Sequence, residues 1–269
     1  MKKRLADVKT VLLVLSGKGG VGKSVVSATL AAILSNSGLR VGLMDADIYG
    51  PSSALLFGAY ELPIEGAEGL TPPMRGGVKV MSVDLFAQGK PIPLTGPAAQ
   101  QVVLELLALT DWGQLDCLIV DMPPATGDIM LSLTSLGKKE VAALVVTMPD
   151  KLSITVAHRV LQLLKSGGVQ TIGILGNMLR PSGASGARDG GGPWKLAREF
   201  KVPLLGLLPY DELVTRAVER SKIEGLVATK FAEELRLSMR QYIASLGGGR
   251  GRASSAVTRR ATGRARRPK

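Results

Sequence analysis

Short runs of Leu, Val, Ile and Ala alternate along the chain with longer stretches in which apolar residues recur every three or four positions. Val11 to Leu15 predicts a strand, and Lys23 to Ser37 predicts a helix closed by Gly38. Further strands are predicted at Arg40 to Met44, Val78 to Val83, Cys117 to Val120, Val141 to Thr147, Thr171 to Leu175 and Pro203 to Leu207. Helical patterns lie between them near Ala98 to Leu109, Ile129 to Leu136, Leu152 to Lys165 and Trp194 to Phe200. Repeated strand–helix alternation implies an α/β fold, a mostly parallel sheet with helices on both faces. Strands covered on both faces need continuous apolar runs, and these runs are continuous.

Two stretches break the rhythm. Tyr49 to Gly77 is rich in Pro and Gly and reads as an irregular excursion with little regular structure. Arg180 to Pro193 carries Gly183, Gly186, Gly190, Gly191 and Gly192 and reads as a second loop. Val227, Phe231, Leu235, Tyr242, Ile243 and Leu246 keep spacings of three and four, which predicts one final helix ended by Gly247-Gly248-Gly249. The pattern defines a single domain over residues 1–246 and a tail over 247–269.

Composition sharpens that boundary. The 269 residues carry 34 Lys and Arg against 22 Asp and Glu, a net +12. Eight of those bases fall between Gly247 and Lys269, which holds no acid, so the body is close to balanced. The tail has small residues, no aromatic and no apolar period, a composition expected to stay disordered and to suit nucleic acid or another polyanion. One cysteine, Cys117, excludes a disulfide within the chain and any site built from several of its own thiolates. No apolar run reaches the ~20 residues that cross a bilayer. Met1-Lys2-Lys3-Arg4 resembles the start of a signal peptide, but the apolar stretch after it is too short, so a cytoplasmic protein is expected.

The chemistry concentrates after the first strand. Gly17-Lys18-Gly19-Gly20-Val21-Gly22-Lys23-Ser24 satisfies G-x-x-x-x-G-K-[ST] between a strand and a helix, the phosphate loop of a P-loop NTPase. Small residues let consecutive backbone N–H groups converge on phosphate oxygens, and the helix N-terminus adds partial positive charge. Lys23 is expected on the β- and γ-phosphates, and the Ser24 hydroxyl on Mg²⁺. Asp45 and Asp47 end the second strand, and Asp121 follows the apolar run Cys117 to Val120, as in a Walker B strand. Ligands of open α/β sheets bind beyond such strand ends. Asp121 is therefore expected near Mg²⁺ through a water, Asp45 in the metal's vicinity, and Asp47 beside the attacking water.

Ser16 to Ser24, with its early Lys18, resembles the deviant Walker A loop of the MinD/ParA/nitrogenase-iron-protein class. Leu43 to Ser52 resembles the first switch of the Mrp/ApbC-type ATPases, and Asp111 to Asp128 the second. Gly173 to Met178 is similar to their adenine-reading strand, and Gly190 to Gly192 and Pro203 to Asp211 to later elements, so the likeness spans about Val11 to Lys222. The resemblance implies a homodimer closed over ATP and Mg²⁺, with Lys18 reaching the partner's nucleotide and Asn177 reading adenine. It further implies a role in iron–sulfur cluster assembly, as carrier or accessory factor, with client proteins as partners.

The sequence departs from that pattern where the cluster would bind. The family's Cys-x-x-Cys pair is absent, and Ser182 and Ser185 hold its spacing, so a cluster held in the family's way lacks its thiolates. Cys117 reads as a buried core residue and His158 as a surface or packing residue. Val25 replaces a usual Thr, leaving its backbone N–H for the nucleotide, and Ala125 replaces a usual Gly; both imply slow or partner-stimulated ATP hydrolysis. The competing expectation is a MinD/ParA-like positioning ATPase that binds a polyanionic surface or nucleic acid through the basic tail.

Overall fold

The computed structural model describes residues 5–90, 92–94, 96–124, 129–130, 132, 140–179 and 191–247. Most of the predicted helix at Ile129 to Leu136, the predicted loop with Ser182 and Ser185, Ala125 and the basic tail beyond Gly247 lie outside those residues.

The main sheet uses every predicted strand: β1 (Val8–Leu15), β2 (Val41–Asp45), β6 (Val78–Ser82), β7 (Leu115–Asp121), β8 (Glu140–Thr147), β9 (Gln170–Leu179) and β10 (Leu204–Pro209). With the edge strand β5 (Met74–Arg75) the order is β10-β9-β8-β1-β7-β2-β6-β5. All pairings are parallel except the edge pair of β5 with β6. Every residue of β2 and β7 is buried, so both faces of the sheet are covered. Helix α1 (Lys23–Asn36) is buried from Val26 to Leu34, because it lies between the sheet and later helices.

The excursion at Tyr49 to Gly77 holds more regular structure than its composition predicts. It contains α2 (Ser53–Phe57), a hairpin of β3 (Ile64–Gly66) and β4 (Gly69–Thr71), and β5. These pieces are too short for periodicity to register. Next come α3 (Asp84–Ala87), α4 (Gly96–Leu109), α5 (Lys151–Ser166) and α6 (Gly191–Phe200). An additional helix, α7 (Glu212–Glu219), follows β10, with Asp211 capping its start by accepting from the Leu213 N–H.

The single final helix predicted from spacing is instead three: α8 (Ile223–Val227), α9 (Lys230–Ser238) and α10 (Arg240–Gly247). Thr229 accepts from the Ala232 N–H and starts α9 anew, while buried Met239 ends it. Each segment keeps its apolar side on the core, so the period survives both breaks. The predicted stop at Gly247-Gly248-Gly249 falls at the limit of the described residues.

Asp116 ties the amino end of β7 to its neighbours. Its carboxylate accepts from the Arg40 backbone N–H (2.9 Å) and guanidinium and pairs with Lys9 at 2.8 Å. Burial opposes its ionisation, but the bonds from Arg40 and Lys9 outweigh that and hold the carboxyl well below the usual carboxylate range. A depressed folded-state pKa stabilises the fold above the unfolded value near ~3.9 and loses that stabilisation as pH falls further. Asp116→Asn should therefore cost about 1–3 kcal/mol at neutral pH. In urea unfolding, the gap between variant and parent should shrink steadily below about pH 4.

Candidate functional site

The carboxyl ends of the central strands meet around the loop after β1. β1 lies between β7 and β8, and Asp121 at the end of β7 is in register with Val14 and with Asp45 of β2. The chain leaves β1 toward β2 on one side, and β8 occupies the other, so the loop sits where the winding reverses, the usual ligand position in such sheets.

Local backbone demands explain the loop's glycines. A side chain at Gly17 would come within 2.5 Å of the Val156 carbonyl carbon on α5, so the loop rests directly on that helix's backbone. Gly22 stands at φ +83° as the residue before α1, a conformation L side chains resist, and a Cβ there would meet the Asn177 amide nitrogen at 2.4 Å. α1 has no side-chain cap and no acidic residue in its first turn. Its first N–H groups are thus available to an anion.

Lys23 and Asp121 face each other at the bottom of this loop. Nζ of Lys23 lies 2.6 Å from Oδ1 of Asp121 and 3.3 Å from Oγ of Ser24, and both charged side chains are buried. The same Oδ1 accepts from Ser27 Oγ at 2.9 Å. Oδ2 is buried with no hydrogen-bond partner among the described residues. Beside it, Asp45 is fully buried; burial first, then the nearby Asp121, raises its pKa above the ordinary carboxylate range, against opposing bonds from the Ser53 and Ser52 N–H groups. Both of those donors stand 2.8 Å from Oδ2 of Asp45, so this carboxyl anchors the chain entering α2. Asp47 donates its N–H to Asp45 and accepts from the Gly50 N–H at 3.3 Å, leaving its carboxylate half-buried at the rim.

The structure thus gathers Gly17, Gly22, Lys23, Ser24, Asp45, Asp47 and Asp121 at one strand edge. Lys18 is half-buried on the loop, where it adds to the Ser153 bonds that keep Asp150, the cap of α5, below its usual range. Asn177 is buried, and its amide donates to the Val21 carbonyl at 2.8 Å, fastening its strand, β9, to the loop. Ser27 joins the site without being marked by any motif. Its only signal in the sequence is its place four residues after Lys23, on the same face of α1.

Oxygen donors suit a hard cation here. Magnesium keeps several waters and takes one or two carboxylates plus substrate phosphates. Asp121 with its unsatisfied Oδ2 and the neighbouring Ser24 hydroxyl fit that donor set, and no group of three or more His, Cys, Asp or Glu forms a metal cage among the described residues. Cys117 stands apart, buried in the middle of β7 between Thr10 and Val41, and burial pushes its thiol up to about 12. His158 lies on α5 against Glu199 (2.7 Å) and the edge of Phe200, a packing role at the surface.

A P-loop opening a helix, an acidic strand end beside it and a parallel sheet define a P-loop NTPase. The sequence model of the NUBPL iron-transfer P-loop NTPase family, of ParA type, matches residues 7–245, and the chain belongs to that family. The match extends into α10, beyond the Lys222 limit read from motifs. An iron–sulfur cluster carrier protein of Rickettsia bellii is 35% identical over 238 residues, 88% of this chain and 70% of that protein. One from Deinococcus radiodurans is 39% identical over 215 residues, 77% of this chain and 61% of its own length. The chain therefore spans only about two thirds of such relatives. Among solved structures, an Archaeoglobus fulgidus nucleotide-binding protein in complex with ADP aligns with TM-score 0.70 at 30% identity, over 87% of this chain and 94% of that one. The Pyrococcus furiosus cell division ATPase MinD shares the fold at TM-score 0.64 and 23% identity, over 89% of this chain and all of that one. Among the described residues, no helix is long and apolar enough to cross a membrane.

The loop geometry separates two glycines. Nothing lies within 4 Å of a Cβ at Gly20, whose φ is +78°. Gly20→Ala should cost about 1 kcal/mol from backbone strain alone. Gly22→Ala should cost more and weaken nucleotide binding, since Asn177 must also leave; chemical unfolding and nucleotide titration of both variants check this. Cys117 should resist a thiol reagent in the native protein at about pH 8 and react as a single equivalent after denaturation.

Proposed function

We propose that this chain binds ATP with Mg²⁺ at the loop, hydrolyses it as a dimeric switch, and serves iron–sulfur cluster assembly as an accessory factor or carrier. The observation that supports this reading most is the buried Lys23–Asp121 pair beneath an uncapped helix start. Phosphates arriving at the N–H groups of Gly19 to Val25 draw Lys23 from Asp121 to the β- and γ-oxygens. Ser24 and, through water, Asp121 would hold Mg²⁺, which would supply charge neutralisation on the phosphates. Asp47 orients the water that attacks the γ-phosphorus as the bond to the bridging oxygen breaks. Lys18 of the opposite subunit meets the charge developing there. Asn177, already against the loop, contacts adenine.

The relatives' names supply the cluster half of the reading. The lone Cys117 is buried in β7, so any cluster carried needs ligands from elsewhere, which favours the accessory role. A second reading, a positioning ATPase with a polyanion partner, is supported by the eight bases of the tail. Truncation at Gly247 with ATP-dependent DNA cosedimentation separates the two.

Lys23→Ala should lose nucleotide binding. Lys18→Ala should keep binding and lose most hydrolysis; a Lys18→Ala turnover equal to the parent's would remove the cross-subunit role. Anaerobic reconstitution with iron counting divides carrier from accessory factor, since an accessory factor retains no stoichiometric iron.

A further inference from the structure

Ser27 is fully buried in α1, one turn beyond Lys23. Its hydroxyl lies 2.9 Å from Asp121 Oδ1 and 3.0 Å from the Lys23 carbonyl. A hydroxyl has one proton to donate, and an ionised carboxylate is the stronger acceptor. A buried hydroxyl is costly unless used, and Ala28, Ala31 and Ala32 beside it show that small apolar side chains fill this helix.

Lys23 and Ser27 both take Oδ1 of Asp121, while Oδ2 is left without a partner among the described residues. The two donors differ in reach. Lys23 has a long, flexible stem and is the group that phosphate attracts. Ser27 has a one-carbon side chain on a helix packed against the sheet, and it cannot swing toward the phosphates. Once Lys23 turns to a nucleotide, Ser27 is the described side chain that still holds the carboxylate. We infer that Ser27 is a positioning residue that locks Asp121 through Oδ1, presents Oδ2 to the Mg²⁺ side, and so sets how tightly the magnesium–nucleotide complex is held.

This inference rests on the proposed ATP and Mg²⁺ reading. The test is a fluorescent ADP analogue titrated onto the full chain in EDTA and again across a magnesium series, for the parent, Ser27→Ala and Ser27→Thr, with thermal unfolding of each. Ser27→Ala should bind the analogue in EDTA as the parent does. It should need up to about tenfold more magnesium for half-maximal tightening, the lower end of the effect of removing a group that orients a metal ligand, because Asp121 would meet the metal through a water. Ser27→Thr, which keeps the hydroxyl, should recover most of that shift. An unchanged magnesium midpoint in Ser27→Ala overturns the inference while leaving the nucleotide reading intact. Equal losses with and without magnesium, tracking a lowered melting temperature, also overturn it, because they mark a packing role alone. A parent chain that binds no nucleotide overturns the reading and the inference together.

Discussion

Two opposite charges buried at the end of a parallel sheet organise this protein. Lys23 and Asp121 come from segments 98 residues apart and meet at 2.6 Å. Either charge alone in that position is unfavourable, and removing one partner of such a pair costs about 3–5 kcal/mol. The pair therefore demands that β1, the loop, α1 and β7 be assembled together. In the proposed function it also stores a choice: the lysine stays with the carboxylate or moves to a phosphate.

The groups around Lys23 are fixed by contacts of their own. Asp45 is committed to the Ser52 and Ser53 N–H groups, so it fixes where the chain turns after β2. Asn177 fastens β9 to the Val21 carbonyl. Gly17 sits on the backbone of α5 too closely for any side chain. The loop is thus held from β9 and α5, and Lys23 meets Asp121 beneath it.

Much of the fold was readable because parallel strands buried on both faces leave long apolar runs, which no solvent-facing element imitates. The phosphate loop was readable because its chemistry forces a contiguous string of small residues and a lysine. The short pieces between Tyr49 and Gly77 were not, since three-residue strands carry no period. The two breaks in the last helical stretch were hidden for the opposite reason: Val227, Phe231 and Leu235 keep their spacing across the first, and Tyr242, Ile243 and Leu246 pack against the core again after the second. Thr229 was the available cue, a cap in the middle of an apolar pattern.

By itself the sequence determined the class of fold, the family, the anion-binding loop and the lone cysteine, all of which reside in local strings of residue types. The tertiary structure alone decided which acids face the loop, that Asp45 is spent on backbone N–H groups, that one oxygen of Asp121 is left over, and that Ser27 shares the other. Most of those facts depend on strand register and on how α1 packs against the sheet. A register places residues far apart in the chain within hydrogen-bond reach, and no local pattern of apolar and polar positions encodes it.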